Sequence, residues 1–168
     1  LGYLEGTGRS ILPEPEALLT ATPKVTGLDG RKMSKSYGNT IGLREDPDEV
    51  AKKLKTMQTD PARVRRTDPG DPEKCPVWDL HKLYSDAETQ RWVDQGCRSA
   101  GIGGLECKKP VIDRIVEEVT GMRQRAQEYE DNPDLVRGIN DEGCEKARAV
   151  AGQTIDLGSL LCLFDAQG

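Results

Sequence analysis

"REDPDEVAKKLKTM", residues 44–57, decides the fold. Asp46 is suited to cap a helix, Pro47 to fill its first position, and Glu49 stands three residues after the cap. Val50, Leu54 and Met57 then fall on one face at helical spacing, with Glu49 and Lys53 as an i,i+4 ion pair on the other. The stretch therefore predicts an amphipathic helix with a defined start, and a helix of this kind must bury its apolar stripe against others.

On the C-terminal side the pattern repeats in kind. "TDPARVRRTDPGDPEKCP" (59–76) is a connector rich in Pro, Asp and Gly that carries Arg63, Arg65 and Arg66. "VWDLHKLY" (77–84) places Val77, Trp78, Leu80, Leu83 and Tyr84 on a short amphipathic helix. Ser85 with Glu88 reads as a capping box for a helix running to about Gln95, with Gly96 as its stop. After the turn-rich "CRSAGIGGLECKK" (97–109), Pro110 is expected to open a longer helix, with Ile112, Ile115, Val116, Val119 and Met122 on one side. "DNPDLVRGINDEGCEKARAVAGQTI" (131–155) supplies at least one more, with Ala147, Val150 and Ala151 inward. Cys144 and Cys162 read as small buried residues. The expectation from about residue 43 onward is a mainly α helical bundle.

On the N-terminal side the pattern breaks down. Residues 1–26 are interrupted by Pro13, Pro15 and Pro23, and "ALLTATPKV" (17–25) has room for one short strand or helical turn. The opening "LGYLEGTGRS" has no initiator Met and reads as the middle of a longer chain. Between this segment and the first helix lies "GLDGRKMSKS" (27–36), with Arg31, Lys32 and Lys35, two serine hydroxyls and two glycines. Lysine is a compact charge on a long stem, suited to following phosphate oxygens as charge moves. Gly27, Gly30 and Gly38 would let the loop open and close over a ligand. A solvated basic turn would share this composition, and the spacing is not that of a P-loop.

Composition narrows the function classes. In 168 residues, 35% are hydrophobic, 32% charged and 4% aromatic, with no apolar run long enough to span a bilayer. A net charge of −5 gives no global reason to bind nucleic acid, so any such contact must use a local patch. Five cysteines without a secretory signal point to a reducing cytoplasm and to free or metal-bound thiols.

Lys-Met-Ser-Lys-Ser at 32–36 matches the signature loop of class I aminoacyl-tRNA synthetases. The longer "GLDGRKMSKSYGNTI", with "REDPDEV" and "QTDPARVRRTDPGDPEKCPVWDLHKLY" after it, resembles the bacterial tryptophanyl-tRNA synthetases over about residues 10–155. The resemblance implies that residues 1–42 end a Rossmann-like α/β catalytic domain and that 43–168 form a helical anticodon-binding domain. It implies ATP-dependent activation of tryptophan and transfer to tRNA-Trp by a cytoplasmic homodimer, with Mg²⁺ assisting. Lys32 and Lys35 would carry the chemistry at the leaving pyrophosphate, Lys35 above all. Ser34 and Ser36 would contact phosphate, and Met33 would anchor the closed loop.

The family's second signature, His-x-Gly-His-like, has no counterpart here. The lone histidine, His81, reads as a surface or interhelical residue, so the chain by itself is not expected to form the adenylate. A non-catalytic tRNA- or protein-binding module derived from a synthetase is the alternative. Some members of the family hold a four-cysteine [4Fe-4S] cluster in the helical domain. Cys75, Cys97 and Cys107 fall on three of its ligand positions and Gly104 on the fourth, leaving an incomplete site. A small redox protein is a third reading, and it fails without a fourth ligand. Arg63, Arg65, Arg66, Arg98, Lys108 and Lys109 are the candidate RNA contacts. The end, "TIDLGSLLCLFDAQG", departs from the family's usual charged helix.

Overall fold

The computed structural model describes residues 15–20, 22 and 24–165, with side chains described to residue 156. The chain divides into two compact units, Leu19–Glu128 and Leu1–Leu18 with Tyr129–Gly168. Among the described residues five helices follow one another: α1 (Pro47–Thr56), α2 (Pro76–Tyr84), α3 (Ala87–Arg98), α4 (Gly104–Asp131) and α5 (Pro133–Asp165). Two short 3-10 turns, Lys35–Tyr37 and Pro72–Lys74, precede α1 and α2. Among the described residues, β structure is confined to one antiparallel bridge, Thr26 to Lys32. No described helix is long and apolar enough to cross a membrane.

In the unit Leu19–Glu128, α1 forms as its local code dictates. The Asp46 carboxylate accepts from the Asp48 amide at 3.0 Å, Pro47 holds the first position, and Val50, Leu54 and Met57 are buried. They pack with Val77 and Leu80 of α2 and with Val111, Ile112, Ile115 and Val119 of α4. A smaller cluster joins Trp78 of α2, Val93 of α3 and Ile102, and Cys75 and Cys107 touch both clusters. Burying such side chains contributes about 1.5–3 kcal/mol each, which makes this three-helix contact the main source of order.

Several local expectations are corrected. Glu49 pairs with Lys52 at 2.6 Å, and Lys53 turns back to Glu45. Asp86 caps α3 by accepting from the Thr89 amide at 2.8 Å, because Ser85 already closes α2 and its hydroxyl is held by His81. Gly96 lies inside α3; a Cβ there would meet Ile102 at 2.7 Å, so the glycine serves packing. The helix runs on to Arg98, and Ala100 just beyond it turns the chain with a left-handed φ of 56°. Pro110 sits inside α4, not at its start. The turn ahead of it is held by the Glu106 carboxylate on the Gly103 amide (2.5 Å) and by the Cys107 amide on the Gly103 carbonyl (2.9 Å). Leu83 is exposed, and residues 17–20, 22, 24 and 25 adopt no regular structure; Ala21 and Pro23 lie outside the described residues.

In the other unit, α5 leaves Ala147, Val150 and Ala151 exposed, Val150 at 69%. Cys144 is only half-buried, and the Cys162 side chain lies outside the described set. The spacing gave α5 an inward face that the described residues do not bury.

Candidate functional site

The loop before α1 is built as a narrow, twisted turn. Gly27 and Arg31 close it (N to O, 2.7 Å), the Gly30 amide donates to the Gly27 carbonyl at 3.0 Å, and the Met33 amide to the Val25 carbonyl at 2.8 Å. Gly30 takes a φ of 80° and Gly38, ending the 3-10 turn, a φ of 65°, which side-chain-bearing residues rarely adopt. Between these two bends, Lys32 and Lys35 are exposed, Met33 is half-buried, and the Ser34 and Ser36 hydroxyls lie 3.1 Å apart. The structure thus brings the five loop residues singled out in the sequence onto one turn.

Two residues that sequence reading passed over hold this turn. Asn39, 3% exposed, donates from Nδ2 to the Asp29 carboxylate at 2.6 Å and to the Lys32 carbonyl at 3.2 Å, and its Oδ1 accepts from the Ser34 amide at 2.8 Å. Asp29 also accepts from the Arg31 amide (3.0 Å) and guanidinium (2.7 Å). The Asn39 amide above all, helped by Arg31, draws the Asp29 carboxyl down to about 2. Arg31 in turn lies 4.4 Å from the Tyr37 ring centroid. The signal was present in the turn dipeptides Asp29-Gly30 and Gly38-Asn39. The turn is tied to the helices by the Gln58 amide on the Leu28 carbonyl (3.1 Å) and the Thr26 hydroxyl on Asp79 of α2 (2.7 Å).

The cysteine segments also converge. Cys75 caps the start of α2, Cys97 is buried near the end of α3, and Cys107 lies in the first turn of α4. Burial pushes the Cys107 thiol up to about 12, with Cys75 and Cys97 adding to the rise; burial raises Cys97 as well. The three are neighbours, and burial favours the protonated thiol at Cys97 and Cys107. Gly104, on the fourth ligand position, has no donor, and a Cβ there would meet only open space. Among the described residues no group of three or more His, Cys, Asp or Glu is arranged to hold a metal ion. Three thiols with no fourth donor at Gly104 do not fit a four-thiolate cluster.

Of the basic candidates, the structure separates structural from available charge. Lys108 is 6% exposed, and its ammonium donates to the Lys55 carbonyl (2.7 Å) and the Met57 carbonyl (2.5 Å), so it caps the end of α1 and is withdrawn as an RNA contact. Arg63 donates to the Ile102 carbonyl at 2.6 Å and the Arg66 carbonyl at 3.0 Å, fixing the connector to the entry of α4. Arg98 pairs with Asp94 at 2.9 Å, Lys109 with Asp113 at 2.7 Å, and Arg66 with Glu106 at 3.1 Å. A groove of about 440 Å³ runs between the connector and α4, lined by Thr59, Arg63–Arg66 and Gly103–Glu106. Val64 (84%) and Leu105 (66%) present apolar surface there beside the exposed Arg65. His81 is fully buried between helices, with Nε2 3.1 Å from the Cys107 carbonyl and Nδ1 2.8 Å from the Ser85 hydroxyl.

Residues 2–120 match the model of the tRNA synthetases class I (W and Y). The chain is 62% identical over 154 residues to a tryptophan–tRNA ligase of Ralstonia nicotianae, covering 92% of this chain and 38% of that protein. It is 43% identical over 147 residues to a tryptophan–tRNA ligase of Thermotoga maritima, covering 87% and 45%. The crystal structure of a Campylobacter jejuni tryptophanyl-tRNA synthetase complexed with ADP and tryptophan superposes with a TM-score of 0.67 at 28% identity, over 79% of this chain and 41% of that one. The chain thus spans about two-fifths of the length of these relatives.

Proposed function

From the premise that the chain belongs to the class I tRNA synthetases of the W and Y family, we propose that it serves a tryptophan–tRNA ligase by supplying the loop that handles ATP phosphates and a helical surface that holds tRNA-Trp. The observation that carries this reading is the clamped turn 27–39, which leaves Lys32 and Lys35 exposed while its one carboxylate, Asp29, is consumed internally. In the reaction, the tryptophan carboxylate attacks the α-phosphorus of ATP and the bond to the bridging oxygen breaks. The electron pair then leaves on pyrophosphate. Lys32 and Lys35 oppose that growing charge, and the Ser34 and Ser36 hydroxyls donate to phosphate oxygens. The loop leaves no free carboxylate for a metal; a Mg²⁺ ion brought with the nucleotide would add positive charge at the phosphates beside Lys32 and Lys35. The activated acyl group then passes to the terminal ribose of tRNA. In this reading residues 1–42 finish the catalytic domain, 43–168 bind the anticodon arm, and the whole enzyme is a cytoplasmic homodimer.

One observation favours the non-catalytic binding module for this chain in isolation: His81 is locked in the helical core and unavailable to a nucleotide. The deciding experiment is tryptophan-dependent ATP–pyrophosphate exchange by the whole native polypeptide that carries this chain, purified from its source, beside its affinity for tRNA-Trp. Exchange that falls at least 100-fold in Lys35→Ala supports the ligase. tRNA binding without exchange supports the module, and absence of both ends the synthetase reading.

A further inference from the structure

The Lys32–Ser36 stretch has little regular structure of its own to hold it, since a single bridge and a one-turn 3-10 helix fix few of its torsions. The order comes from Asn39. Its carboxamide oxygen takes the Ser34 amide, its two N–H groups go to Asp29 and to the Lys32 carbonyl, and its backbone carbonyl takes the Leu28 amide at 3.1 Å. One buried side chain thereby joins the backbone on both sides of Met33 to the opposite limb of the turn. Gly27 makes room for it: a Cβ at 27 would fall on the Asn39 carboxamide and 2.9 Å from its backbone oxygen. Asp29 is kept ionised as the acceptor by Asn39 and Arg31.

We propose that Asn39 is a positioning residue for polyphosphate: by tying the Lys32 carbonyl and the Ser34 amide to Asp29, it sets the direction in which Lys32 and Lys35 leave the backbone. The proposal rests on the phosphate-handling reading of the loop. Lysine stems are flexible, so a rigid backbone beneath them is what limits the conformational freedom lost when a polyanion is bound. Asparagine is required because the position needs an acceptor toward Ser34 and a donor toward Asp29 at once. Alanine supplies neither, and aspartate would set a second carboxylate against Asp29 and the Lys32 carbonyl.

The test uses the full chain labelled for NMR, with inorganic pyrophosphate as probe. Expected are a slowly exchanging Ser34 amide and pyrophosphate-induced shifts at Lys32 and Lys35. Asn39→Ala should free the Ser34 amide and weaken pyrophosphate at least tenfold while the helices melt at an unchanged temperature. Asn39→Asp should be as weak at pH 8 and regain affinity relative to the unsubstituted chain at pH 5, where a proton shared between the two carboxylates restores the donor. Gly27→Ala, which keeps the asparagine but drives a Cβ onto its carboxamide, should weaken binding too. The proposal is overturned if Asn39→Ala binds pyrophosphate as tightly as the unsubstituted chain, or if Ser34 already exchanges freely there. If Ser34 is protected but pyrophosphate shifts neither lysine, the phosphate reading has failed, and the proposal falls with it.

Discussion

His81 shows what a single residue contributes and why the sequence left its place open. A carbonyl can only accept, so Nε2 donates to Cys107 and the neutral ring takes the Ser85 hydroxyl proton on Nδ1. Burial lowers its pKa below the ordinary 6.5, with the Cys107 bond opposing. The unfolded chain therefore binds this proton more readily than the folded one. The stability the neutral ring contributes is full above about pH 6.5 and is lost as pH falls from there toward the folded value. Urea unfolding between pH 7.5 and 5.5 should show that decline, with a slope of up to about 1.4 kcal/mol per pH unit, and His81→Gln should flatten it. An unchanged slope in that variant would refute the assignment. The partner carbonyl comes from a residue 26 positions away, which no local pattern in "DLHKLY" announces. Lys108 was misread for a related reason. Next to Lys109 it looks like part of a basic run, but adjacent helical residues diverge by about 100°, so one lysine faces solvent and the other the core. Lys108→Met should cost about 1–3 kcal/mol by leaving the Lys55 and Met57 carbonyls unpaired, and should leave tRNA affinity unchanged. A stability-neutral variant with weaker RNA binding would restore the sequence-based reading.

At the scale of elements, legibility followed locality. α1 was readable to its cap because Asp46, Pro47 and the Val50–Leu54–Met57 stripe interact within a few residues. The ends of α3 and the start of α4 were not, because Gly96 answers to Ile102 and the first turn of α4 is held by Glu106 and Arg66 across the connector. The loop's lysines and serines stood out in the sequence, whereas Asn39 was marked there only as a turn residue, and its role came from its cross-loop bonds. The end of α3 also carries a correctable strain. Ala100 occupies the left-handed position that closes the helix, with the amides of Gly101 and Ile102 bonded back to the Gly96 carbonyl at 2.8 and 3.2 Å. Ala100→Gly should therefore raise stability by about 0.5–1 kcal/mol, read as a higher urea midpoint at constant m. A fall would mean that the methyl group packs more than its backbone strains.

For the whole molecule, charge is the informative quantity. A chain of net charge −5 repels RNA at long range, so binding must come from the few cations left unneutralised on one face. Arg66 is shared with Glu106 and Arg63 is turned to backbone carbonyls, which leaves Arg65, flanked by Val64 and Leu105, as the principal free charge of the groove. A single-stranded phosphate contact changes the slope of log affinity against log salt by about −0.7. The slope for tRNA-Trp should accordingly be shallow, about −1 to −2, and Arg65→Ala should reduce it by about one such contact. Leu105→Ala should weaken binding with no change of slope, because it removes apolar contact to a base and not a counterion. Fluorescence anisotropy across a salt series measures both. A steep slope insensitive to Arg65 would place the RNA elsewhere, on cations the groove does not contain.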